Sequence, residues 1–298
     1  MIKKVMSPQS TIFPVLVLIL AMISIQSGAS LAKNLFPVAG AMGTSALRLF
    51  FAAIILGVIW KPWKSTFQKS DLKELIFYGG SLGLMNLFFY LAIARIPLGI
   101  AVAIEFTGPL AITVLSSKKL LDYFWVLLAG AGVLLILPLG DIQNPIDGLG
   151  IFLAFLAAFF WALYIHFGVR AGKNHSSGVV SSVGMMVAAI IVVPVGIVSQ
   201  GVSFLSWSIL PFGLGVALFS SAIPYSLEMY SLKRIPKKEF GILLSLEPVC
   251  AALSGLFFLQ ERLSFVQCMA IALIIFASIG VSISSGKKKI TPQELDSL

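Results

Sequence analysis

Residues 95–109 read RIPLGIAVAIEFTGP, and residues 234–248 read RIPKKEFGILLSLEP. Arg95-Ile96-Pro97 returns as Arg234-Ile235-Pro236, Pro109 returns as Pro248, and farther on Asp122 returns as Glu261, all at one offset of 139 residues. Each copy runs in the same order: a basic residue, a proline opening an apolar run, a proline inside that run, then an acid opening the next run. One offset for every pair indicates an internal duplication. Proline suits the first turn of a helix, where its missing N–H would have had no partner. Deep inside a helix it removes a backbone hydrogen bond and bends or breaks the helix.

Both copies sit in a very apolar chain. Of 298 residues, 58% are hydrophobic and 11% are charged, and the mean hydropathy is +1.01. Soluble domains carry about 25% charged residues, so the composition excludes a soluble enzyme, a nucleic-acid-binding protein and a disordered chain. Ten stretches are long and apolar enough to span a bilayer: 12–32, 41–60, 75–94, 97–115, 122–139, 148–168, 178–199, 207–230, 237–258 and 264–284. The first is too long, and too polar around Gln26, Ser27 and Ser30, for a removable signal core.

The basic residues give an orientation. With the N-terminus in the cytoplasm, 17 of the 21 Lys and Arg fall in cytoplasmic segments. Lys33, Arg95 and Arg262 fall outside, and Arg48 lies within the second span. This is a strong positive-inside pattern. It explains the net charge of +9 through topology and attraction to anionic membrane lipid, with no nucleic acid involved. Both termini are expected on the cytoplasmic side. Asp141 and Asp147 fall in an outer connection and read as a polar turn.

Five spans per half make the second half enter from the opposite side. The expected fold is therefore an all-α polytopic membrane protein of ten transmembrane helices, arranged as two inverted five-helix repeats. The first repeat is 12–139 and the second 148–284, followed by a cytoplasmic tail at 285–298. In transporters of this design the binding site lies near the midplane, between the repeats.

A charge at the bilayer centre costs about 2.5–3.5 kcal/mol on insertion scales, so polar groups at that depth need a reason. Glu105 and Glu247 lie near the midplane, each within a turn of Pro109 or Pro248. Those two prolines are the expected helix bends beside a central cavity. A carboxyl group taken out of water can exchange a proton near neutral pH, which suits proton antiport. Two roles are open to Arg48, eight residues into its span: it binds a substrate carboxylate, or it serves structurally, by pairing with a glutamate or snorkelling outward. Gln26, Asn86, Tyr90 and Tyr225, with Tyr164, are neutral hydrogen-bonding groups suited to a small polar solute. Glu228 either lines the inner vestibule or pairs with Lys233 or Lys237. His166 reads as an interfacial histidine. Gly79, Gly80 and Gly83 read as close-packing positions.

Nothing marks an enzyme. HExxH, GxSxG and phosphate-loop motifs are missing, so no catalytic residue, cofactor or metal site is assigned. Cys250 and Cys268 sit in apolar stretches and form neither a disulfide framework nor a metal site. Without an ATPase motif, active transport must be coupled to an ion.

The strings MISIQSGASLAK (22–33), FYGGSLGLMNLFFY (77–90), IPLGIAVAIEFTGPLA (96–111), IPYSLEM (223–229) and FGILLSLEP (240–248) carry a more specific signal. With the ten-span pattern they resemble the drug/metabolite transporter superfamily, EamA type. The resemblance implies a multi-pass protein of the bacterial inner membrane that exports small amino acids, threonine and homoserine, against a flow of protons. A second reading keeps the transporter class and changes the solute to another amino acid or metabolite, exported or taken up.

Overall fold

The computed structural model describes residues 9–115, 120–136, 147–201, 205–232, 243–244 and 246–285. Arg234, Ile235 and Pro236 of the second repeat copy lie outside the described residues, as do Lys118, Lys119, Asp141, Lys233, Lys237, Lys238 and the tail beyond Ser285. Among the described residues the regular structure is all helical.

Helix α1 (Gln9–Trp60) is two helices in one run, broken at Gly40 (φ 64°, ψ 164°). Only glycine adopts that backbone without strain, and the Gln200 side chain packs where a Cβ would project. The arms are residues 9–39 and 41–60, matching the first two expected spans. Then follow α2 (Lys69–Ile93), α3 (Leu98–Glu105), α4 (Thr107–Leu115), α5 (Leu120–Ile136), α6 (Gly148–Ala171) and α7 (Ser177–Gln200). After α8 (Leu210–Ala217), a π-helical turn (Leu218–Ala222) leads into α9 (Ile223–Leu232), α10 (Glu247–Leu259) and α11 (Phe265–Ser285). Among the described residues, the stretches Phe13–Trp60, Lys69–Ile93, Gly148–Gly168 and Gly178–Gln200 are long and apolar enough to cross a membrane. Phe13, Leu127, Ile190, Val198, Phe257 and Phe276 are among the large apolar side chains on the outside of the bundle. An apolar exterior is what a protein solvated by lipid presents, while the helices satisfy their own backbone groups.

Small residues bring the helices together. Gly28 lies against Ser220, Gly99 against Ala252, Gly108 against Ala158 and Gly132 against Ala270, with no room for a side-chain carbon at any of them, and Gly83 lies tightly against Ala188. Polar contacts fasten the two ends of the bundle. At one end Gln68 and Asp71 form the capping box of α2, and Asp71 also accepts from Asn174 (3.0 Å) and meets His175 (3.1 Å) in the α6–α7 turn. At the other end Lys33 pairs with Glu261, and Arg95 with Asp147 at 2.7 Å. Asp147, expected as a polar turn, is also the N-cap of α6 through the Leu149 N–H.

The fourth expected span, 97–115, is broken at Phe106 into α3 and α4. Pro109 stands in the first turn of α4, and Thr107 Oγ1 covers the Ile104 carbonyl at 2.6 Å. Pro248, placed by the sequence inside a span, stands in the first turn of α10. The chain thus meets its two prolines at helix starts, where a missing N–H costs least. Glu105 closes α3 and Glu247 opens α10.

Candidate functional site

A cavity of about 780 Å³ lies among α1, α2, α3, α4, α6, α7, α9 and α10. It reaches Gly172 and Lys173 in the α6–α7 turn, both exposed to solvent. Toward the Lys33–Glu261 end its walls give way to closely packed Ile93, Ile96, Leu98 and Ile100, all almost wholly buried. Among the described residues, the cavity meets solvent at the Lys173 end.

Of the residues expected at the site, Gln26, Arg48, Asn86, Glu105, Pro109, Tyr225, Glu228 and Glu247 line this cavity, with Tyr164. Tyr90 and Pro248 do not. Tyr90 is fully buried and sits behind the site, its ring 5.3 Å from the Arg48 guanidinium. His166 faces a separate groove between α4 and α6. Tyr78 and Trp161 also line the cavity, and the sequence reading passed over both. Tyr78 stacks on Tyr164 with ring centres 4.9 Å apart.

Arg48 is held by a backbone irregularity. Its Nε donates to Ser221 Oγ at 2.9 Å and its Nη2 to the Ser220 carbonyl at 2.8 Å. In a regular helix the Ser220 carbonyl would accept from residue 224, but Pro224 has no N–H to give. The π-turn meanwhile commits the Ile223 N–H to Leu218, which leaves the Phe219 carbonyl for Ser24 Oγ at 2.7 Å. π-turns of this kind recur at functional sites. The guanidinium pairs with no described carboxylate within 4 Å, so the expected alternative of a direct ion pair with Glu105 or Glu247 is not realised in this conformation. Glu105 and Glu247 are 7% and 9% exposed, and neither carboxylate makes an ion pair among the described residues. The cavity thus holds a positioned guanidinium and the carboxyl groups of Glu105, Glu228 and Glu247, set in apolar and aromatic surroundings.

Residues 148–283 match the EamA-like transporter family. The threonine/homoserine exporter RhtA of Salmonella typhimurium is 51% identical over 271 residues, 91% of this chain and 92% of that protein. The chain belongs to the EamA-like transporter family. Another member, the threonine/homoserine exporter RhtA of Escherichia coli K12, is 48% identical over 283 residues, 95% of each chain. A crystal structure 17% identical in sequence superposes with a TM-score of 0.62 over 93% of this chain and 99% of the other, a likeness of fold. The two RhtA relatives are transporters, not enzymes, and the chain is a membrane transporter.

Proposed function

We propose that this EamA-family transporter exports threonine and homoserine across the bacterial inner membrane in exchange for protons. The observation that carries the reading is the cavity wall itself: Arg48, fixed by Ser220 and Ser221, faces the same space as Glu105 and Glu247. The guanidinium binds the solute carboxylate. The two carboxylates take either the solute ammonium or a proton, which makes the two compete. The identity of the RhtA relatives supports threonine and homoserine as the solutes.

The architecture in this reading is ten spans in two inverted repeats, 12–139 and 148–284, with both termini in the cytoplasm. Helix packing supports it. The first arm of α1 packs on the π-turn and α10, at Gly28 with Ser220 and Ser30 with Ser254. Five spans later, α6 packs on α2 and α4, at Gly168 with Tyr78 and Gly108 with Ala158. The second arm packs on α8 at Gly213, as α7 packs on α2 at Gly83. Each neighbour relation has its counterpart in the other half, as a two-fold axis in the membrane plane requires. The Lys173 end is then cytoplasmic and the Lys33–Glu261 end outer, so the conformation faces inward and is ready to load.

The experiment is efflux of labelled threonine and homoserine from inside-out and right-side-out vesicles, with and without a proton gradient. The proposal expects gradient-driven export, lost in Glu105→Gln or Glu247→Gln. Export that persists unchanged after the gradient collapses removes the coupling. Full activity in both variants removes the acid site.

A further inference from the structure

We infer that the Gln26 side-chain amide reads the hydroxyl of the solute and so sets the preference for hydroxylated amino acids. This rests on the proposed function. Buried polar atoms nearly always have a partner, so an atom without one is informative. Buried side-chain atoms left without a partner occur on Gln26, Ser45, Glu74, Tyr90, Trp125 and Ser182. Among these, Gln26 is the residue that lines the cavity. It is 5% exposed, and its Oε1 is the unpartnered atom.

The position of Gln26 follows from its neighbours on α1. One turn before it, Met22 forms with Leu18 a cluster against which Leu243, Leu244 and Cys250 pack. One turn after it, Ser30 Oγ bonds Ser254 Oγ at 3.1 Å. Gln26 therefore stands at the level of Glu247, on the side of the cavity that α10 borders. With the solute carboxylate on Arg48 and its ammonium by Glu247, the side chain of the amino acid starts beside Gln26. A hydroxyl on the β or γ carbon lies close to the ammonium, and it both donates and accepts, so it satisfies an amide in either orientation. A methyl or methylene in its place leaves the amide unpaired in a dry wall, and sites built around a hydrogen bond reject analogues that lack it.

One compound tests this for both solutes. 2-Aminobutyrate is the deoxy analogue of threonine and of homoserine alike. Purified wild-type protein should bind threonine and homoserine at least about tenfold more tightly than 2-aminobutyrate, the scale of one unsatisfied buried group. Gln26→Met, similar in size but with no amide, should collapse that ratio toward one. Gln26→Glu, which keeps an acceptor, should preserve most of it. Equal wild-type binding of the three compounds, or an unchanged ratio in Gln26→Met, overturns the assignment. If Gln26→Met does not fold, equal wild-type binding of the three compounds still overturns the assignment. Wild type that binds and exports none of the three overturns the proposed function, and the role of Gln26 with it; threonine export with no preference over 2-aminobutyrate overturns the role of Gln26 alone.

Discussion

Lys33 and Glu261 form an ion pair that closes the bundle at the end away from the cavity mouth. Lys33 Nζ also donates to the Ile96 carbonyl at 3.3 Å, and Glu261 Oε2 accepts the Leu98 N–H at 2.8 Å. Three segments are tied at one point: the first arm of α1, the start of α3 and the α10–α11 turn. In the proposed topology, a path to the outside has to part them. Lys33→Met or Glu261→Gln should therefore favour the outward-open state. In a background lacking Cys250 and Cys268, an Ala29→Cys probe on the cavity wall should react at least about fivefold faster with an impermeant thiol reagent added outside, the lower end of ordinary coupling energies. Under the proposed repeat, Asp122 corresponds to Glu261, and Lys173 lies one residue past the position matching Lys33. Asp122→Asn should shift labelling the opposite way. Unchanged labelling in all the variants would rule out the latch.

Pro224 should matter through Arg48. Pro224→Ala supplies an N–H that can bond the Ser220 carbonyl and draw it from the guanidinium. Removing a proline from a helix interior does not weaken the helix. The variant should keep its melting temperature or gain, while the KM for threonine rises about fivefold and kcat changes little. In Arg48→Lys, which loses the fork that meets both serines, adding Pro224→Ala should have little further effect, since the two act as one unit. A falling melting temperature with unchanged KM would count against this role.

Gly40 should tolerate no side chain. Its φ of 64° and ψ of 164° place Gly40→Ala in a backbone region costing about 1–3 kcal/mol, before any clash with Gln200. Thermal unfolding in detergent should show a drop of several degrees. A silent substitution would mean that the elbow re-forms at another residue.

Asp147 should make stability depend on acid pH. The hydrogen bond from Arg95, then that from the Leu149 N–H, hold its carboxyl below the ordinary value of 3.8. A folded-state value below the unfolded one gives stability above the unfolded value that fades as pH falls through the folded one. Wild type should thus melt higher than Asp147→Asn by a constant margin at neutral pH. The margin should fade as pH falls through the folded value, which lies below 3.8, and shrink with added salt. A margin that grew on acidification would contradict the sign.

Much of the site was legible because depth is. Hydropathy fixes how far each residue sits from a span end, and charge is costly enough at depth that Arg48, Glu105 and Glu247 stood out. Pro109 marked a true break for the same local reason. Rotation about each helix axis was not legible. Tyr90 has the depth of a cavity residue but the azimuth of a buried one. Long-range pairing was hidden too: Arg48 meets Ser221 across 173 residues, and Lys33 meets Glu261 across 228. Serines look like packing residues until a proline in the next turn frees the carbonyl beside them. The succession Ser220-Ser221-Ala222-Ile223-Pro224 was the available signal.

The elbow at Gly40 joins two parts with different duties. Lys33 rides on the arm before it, and Arg48 on the arm after it. A joint of one residue has no slack, so a tilt of either arm is felt by the other. The reciprocity of linked equilibria then applies: whatever factor solute on Arg48 contributes to breaking the Lys33–Glu261 pair, breaking that pair returns to the affinity for solute. Under the proposed function, the coupling between that ion pair and the grip on the cargo is one quantity, measured at two places.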